Sequence, residues 1–187
     1  MIPTLPLRLR NRLAATILAA LHDRGARCEL AALAREEVAG DWLEAGEGRW
    51  AEPLTERARA ASTALADRPL LSPEADLREA LRAAALLFDA GLFFEVHEAL
   101  EPHWLRASDE TRDALQGLIQ VAVAWQHFAN GNLSGARSLF IDGGGRLRGV
   151  RLLGVDLDPF ARGAIEAGAR IADGLPVTPP RFPTDHA

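Results

Sequence analysis

The sequence contains no lysine and no tyrosine, and only one cysteine and one methionine. Arginine therefore carries all 21 of the basic side chains. A lone Cys28 excludes an internal disulfide, and the absence of paired cysteines makes a reducing cytoplasm the expected location. No stretch approaches the roughly 18 apolar residues that a membrane-spanning helix needs. The opening stretch MIPTLPLRLRNRLAATILAALHDR keeps its arginine periodicity through the apolar run and has no cleavage pattern, so it reads as an amphipathic helix of the mature protein. The net charge is −5 and no basic cluster occurs. Arg8, Arg10 and Arg12 come nearest to one and read as a solvated helix face, so neither a nucleic acid nor a membrane is an expected partner. There is no G-x-S-x-G elbow, phosphate loop or dinucleotide fingerprint, which leaves the substrate class open.

What is present is a near-average globular composition, 48% apolar and 25% charged, in 187 residues. That length suits one good core, or one domain with a sizeable helical addition. Apolar residues recur at spacings of three and four along nearly the whole chain, and Val, Ile and Thr never gather into an alternating run. The expected fold is all-α, a compact bundle of antiparallel αα-hairpins with an N-terminal helical extension and no strand.

The extension covers residues 1–70, with helices near Leu7 to Asp23, Glu29 to Glu44 and Pro53 to Leu65, broken at Gly25 and at the Gly46, Gly48 pair. The main domain is expected over residues 72–174. Ser72 should cap its first helix with Pro73 at the first helical position, and Gly91 should end it. A second helix spans Phe93 to Arg106, a third runs from Ser108 to Asn130-Gly131, and Asn132 caps a fourth that Gly143-Gly144-Gly145 should fray or break. A last helix runs from Asp158-Pro159 to Gly174. Residues 175–187 form a proline-rich, extended tail. Aligning Gly91 with Gly131 gives a faint 40-residue repeat that pairs Phe88 with Phe128 and Leu100 with Phe140, read as two similar αα-hairpins.

Two helices carry polar side chains where an apolar stripe is expected. Phe94, His97, Glu101 and Trp104 share one stripe, with Glu98 a quarter turn aside. Gln116, Gln120 and His127 share another among small residues. Facing stripes would bring His97, Glu98, Glu101, Gln120 and His127 together. Imidazole nitrogen and carboxylate oxygen suit zinc, manganese or iron, and helical bundles commonly project Glu and His inward to hold such ions. A glutamate beside bound water can act as general base. The alternative is a buried hydrogen-bond network of structural purpose, with Glu95 pairing or capping on the flank and Trp104 mainly in the core. The run His97-Glu98-Ala99-Leu100-Glu101 lacks the second histidine of the H-E-x-x-H protease pattern. Pro102 takes away the backbone donor that would serve the Glu98 carbonyl and should kink the helix there.

The patterns F-x-A-G-x-F-F-E-x-H-E-x-L-E-x-x-W at Phe88 to Trp104, L-Q-G-L-I-Q-x-A-x-A-x-x-H at Leu115 to His127 and G-N-x-x-G-A at Gly131 to Ala136 resemble the domain of unknown function 309, a family of small all-helical proteins. The resemblance spans about Glu74 to Leu153. Some members of that family are labelled predicted metal-dependent hydrolases. The resemblance implies that the family's characteristic residues fall on Gly91, Glu95, His97, Glu98, Glu101, Trp104, Gln116, Gln120 and His127. Carried over, these read as catalytic Glu98 and Glu101, a divalent-metal set of His97, Glu101 and His127, and a pocket lined by Glu95, Trp104, Gln116 and Gln120. The competing expectation is a non-catalytic, tetratricopeptide-like interaction module. Partners follow the choice between them: a small molecule in the pocket, or a protein helix in a hairpin groove, with homo-oligomerisation open in either case.

Overall fold

An aspartate followed by a short arginine-rich amphipathic run begins the second helix, and the same device, an acidic cap before an apolar stripe, begins the fourth. The computed structural model describes residues 5–72 and 75–184, and eight α-helices lie within them. α1 (Leu7–Ala20) buries Leu9, Leu13, Ala14 and Ile17 on one face. α2 (Arg24–Ala34) starts where the Asp23 carboxylate accepts from the Ala26 N–H at 2.7 Å. Gly25 therefore lies inside the first turn rather than between helices. The helix expected over Glu29 to Glu44 ends ten residues early, because Glu36 takes a left-handed φ of +67°. Two short 3-10 turns follow, and Trp42 enters the core between them with Arg12 stacked 3.9 Å above its ring. α3 (Ala51–Leu65) then presents Leu54, Arg57, Ala58, Ala61 and Leu65 inward.

α4 (Leu77–Asp89) is capped by Asp76, not Ser72. The Asp76 side chain accepts from the Glu79 N–H and the Glu79 side chain reaches back to Asp76 N–H, a reciprocal box that satisfies two orphan donors. Pro73, expected at the first helical position, lies outside the described residues. α5 (Phe93–Arg106) and α6 (Asp109–Ala129) form an antiparallel hairpin in which Phe93 stacks on Trp125 at 6.0 Å. α7 (Leu133–Leu147) continues the meander. The turns before α5 and before α7 are twins. Gly91 and Gly131 adopt φ of +74° and +75°, and each is flanked by the same pair of bonds, Gly91 N to Phe88 O with Leu92 N to Leu87 O, and Gly131 N to Phe128 O with Asn132 N to His127 O. The 40-residue repeat is thus a repeated turn geometry.

α7 runs unbroken through the triple glycine, contrary to expectation, and tertiary packing explains it. A Cβ on Gly143 would meet the Gly117 carbonyl at 2.9 Å, and one on Gly144 would meet Ile165 at 2.7 Å and the Ala161 carbonyl at 3.0 Å. Glycine lets α7 press against α6 on one side and α8 (Asp158–Ala172) on the other, and that burial outweighs its poor helix propensity of about 1 kcal/mol per residue. Between α7 and α8 a hairpin appears where no strand was expected. β1 (Arg151–Leu152) pairs antiparallel with β2 (Val155–Asp156) through a two-residue turn with Leu153 and Gly154 both at positive φ. Strands of two residues are too short to show an alternating pattern.

One apolar core runs from Leu5 to Phe182 and includes both the extension and the later helices. The extended tail docks on it: Phe182 is buried against Phe88 and Phe160, with ring centres 5.3 and 5.4 Å away. No described helix is long and apolar enough to cross a membrane.

Candidate functional site

α5 is held by its apolar residues, Phe93, Val96 and Leu100, which are buried, so its other faces are fixed by that anchoring. His97, Glu98 and Glu101 are all half-buried, and one donor atom from each lies within 4.8 Å of the others. His97 Nδ1 is 3.1 Å from Glu98 Oε1. His97 and Glu101 are one turn apart, so both extend from one side of the helix. The group is bordered by Phe94, whose ring centre is 6.2 Å from that of His97 and which carries the Arg10 guanidinium of α1 stacked at 4.2 Å. The N-terminal extension therefore forms one wall beside the cluster.

His127 stands outside this group. Asn132 explains its placement: its Oδ1 accepts from the Gly135 N–H at 3.0 Å and so caps α7, which turns Nδ2 toward His127 Nδ1 at 2.8 Å. The cap fixes the amide orientation, so the amide donates and Nδ1 accepts, leaving the proton on Nε2. Neither imidazole nitrogen then offers a free lone pair to a cation. The Phe93–Trp125 stacking also places His97 about level with Val121 in the antiparallel hairpin, six residues and about 9 Å along the axis from His127. The expected set of His97, Glu101 and His127 is thus replaced, as a geometric grouping, by His97, Glu98 and Glu101.

Glu95 is fully withdrawn from solvent, and both its oxygens receive Nη2 of Arg57, at 3.0 and 3.3 Å. It faces α3, not a pocket shared with His97. The sequence reading missed Arg57, although a signal existed: it occupies a core position of an otherwise apolar stripe, between Leu54 and Ala61. Trp104 is half-buried instead of enclosed, with the Arg112 guanidinium 4.3 Å above its ring while Arg112 Nη1 donates to the Trp104 carbonyl. Gln116 and Gln120 are half-buried on α6, and Gln120 Oε1 is buried with no hydrogen-bond partner. Pro102 sits inside α5 and has no N–H to give to the Glu98 carbonyl. Burial pushes the His103 imidazole below its usual value, Arg106 adds to the effect and Asp76 opposes it.

Residues 81–139, which span these elements from α4 to α7, match the family model described as Domain of unknown function (DUF309). This segment is a DUF309 domain. Neither the comparison with curated proteins nor that with solved structures gave a match. The DUF309 segment contains His97, Glu98 and Glu101, whereas Arg10 and Arg57, which touch its Phe94 and Glu95, come from the helices that precede it.

Proposed function

We propose that the protein is a metal-dependent hydrolase in which His97 and Glu101 hold a divalent cation and Glu98 transfers the proton. The observation that carries this reading is the convergence of three ligand-type side chains within 4.8 Å on one half-buried helix face. The donor types fit such an ion: the His97 imidazole and the Glu101 carboxylate suit zinc, manganese or iron, small side-chain rotations bring atoms at this spacing to bonds of about 2.0–2.2 Å, and Glu98 lies close enough beside them to serve as the base. The half-exposure of the cluster leaves coordination positions open to water and substrate, as hydrolysis requires. When bound, such a cation supplies an acidified water and a Lewis acid toward a carbonyl or phosphoryl oxygen.

The chain's own residues do the rest. Glu98 holds one oxygen against His97, and its other oxygen has no protein partner among the described residues, so it can accept a proton from water and return it to a leaving group. Phe94 and its stacked Arg10 shield one side of the cluster from bulk water. The test is calorimetric titration of chelator-stripped protein with zinc and manganese, followed by assay of ester and phosphoester hydrolysis. Saturable binding that is lost in His97→Ala and Glu101→Gln, with metal-dependent hydrolysis lost in Glu98→Gln, is the expected result. Absence of both binding and a thermal shift would leave the cluster as a packing device and favour the interaction module.

A further inference from the structure

A cleft of about 430 Å³ lies between α1, the start of α4 and α5, and it reaches the cluster through a shared residue, Glu98. Much of its wall is apolar: Leu18 and Leu21 come from α1 and the residue after it, Leu71 from the connection to α4, and Ala83 from α4. His22, just after α1, and His103 of α5 both line it, and His22 has already committed its Nδ1 to the Leu71 carbonyl at 3.3 Å. Along the α5 wall the lining positions are Glu98, Ala99, Pro102, His103 and Arg106. Glu98 and Arg106 are eight residues apart on one helix, about 12 Å along its axis. The cleft is therefore a trough with a carboxylate at one end of its α5 wall, an exposed guanidinium at the other, and Ala99, Pro102 and the His103 imidazole between them.

We infer that this trough binds a small amphipathic anion, with its apolar body along α5 and its anionic group at Arg106. Charge complementarity selects the orientation, since the same group placed at the other end would face Glu98. The apolar walls supply the affinity in proportion to the area they cover. On the functional reading given above, the ligand's far end arrives beside His97, Glu98 and Glu101, so the bond to be cleaved is an ester or amide remote from the anionic group. Binding itself does not depend on that reading. The trough draws most of its apolar wall from residues that precede the DUF309 segment, so the ligand preference belongs to this chain's extension as much as to the domain.

The probes are octanoate and octanol, titrated into the full chain by amide NMR and calorimetry. Octanoate should bind saturably and shift the resonances of Ala83, Ala99 and His103. Arg106→Gln should weaken octanoate about tenfold, the order of one charge-assisted contact, and leave octanol within twofold. Ala99→Phe should block both ligands. Should that variant fail to fold, Ala19→Phe, at an exposed lining position, serves the same purpose. No saturable octanoate binding, equal loss of octanoate and octanol in Arg106→Gln, or binding indifferent to the blocking variants would overturn the inference. Zinc titration of the same samples separates the two proposals: failure to bind metal with octanoate binding intact removes the hydrolase reading alone, and the converse removes only the trough.

Discussion

Arg57 Nη2 bridges both carboxylate oxygens of Glu95 across 38 residues of sequence, with the two side chains 4% and 0% exposed. The pair joins α3 of the extension to α5 of the DUF309 domain inside the core, where Glu95 is fully withdrawn from solvent. Removing one partner strands a buried charge, whereas replacing both with apolar groups of similar shape does not. Glu95→Leu and Arg57→Met should each destabilise by about 3–5 kcal/mol in urea unfolding, and the double variant that combines them should recover most of that loss. Additive losses in the double variant would show that the two groups do not depend on each other.

The three consecutive glycines of α7 should respond with opposite signs. Gly143→Ala and Gly144→Ala insert a Cβ under 3.0 Å from the Gly117 carbonyl and from Ile165 respectively, so both should lower the denaturation midpoint. Gly145 has nothing within 4 Å of its Cβ position. Gly145→Ala should raise stability by up to about 0.8–1 kcal/mol through helix propensity alone. Three variants with equal effects would argue against close packing as the reason the helix continues.

His127 and His97 should separate in metal titrations. His127→Ala should leave zinc affinity within twofold, because Asn132 already occupies its available lone pair, and His97→Ala should abolish binding. Asn132→Ala should cost about 1 kcal/mol as a lost helix cap, without a change in metal binding. A strong zinc defect in His127→Ala would restore that residue to the ligand set.

Trp104 and Glu98 test fold against function. Trp104→Ala should cost less than the roughly 3–5 kcal/mol of an enclosed tryptophan, since its ring is half-exposed beneath Arg112. Glu98→Gln should change stability by less than about 1 kcal/mol, because among the described residues its ionic contact is with a half-exposed histidine. A drop for Glu98→Gln as large as that for Trp104→Ala, read from denaturant midpoints, would make Glu98 a structural residue.

The all-α class and most helix ends were legible because they depend on local chemistry. Gly91, Gly131 and Gly174 stop their helices in left-handed conformations as expected, and Asn132 caps α7. What could not be read was set by distant partners. The glycines of α7 look like a break until α6 and α8 are placed against them. Apolar spacing carried past Arg35 suggests a longer α2, but Val38 and Trp42 reach the core through 3-10 turns instead. In the candidate site, the grouping of His97, Glu98 and Glu101 follows from spacing on one helix. The fates of Glu95 and His127 depended on Arg57 and Asn132, and nothing in helical periodicity assigns a side chain to a partner on another element.

Phe182 lies 94 residues beyond Phe88, yet its ring completes the aromatic group made by Phe88 and Phe160. During synthesis this residue emerges after all eight described helices, so that face of α4 stays wetted while the DUF309 hairpins are already able to form. A nascent chain would display a sticky aromatic surface through much of the second half of its elongation, and a chaperone that reads such surfaces would have its opportunity there. Loss of Phe182 should therefore reduce the yield of folded protein more than its modest share of the core would suggest.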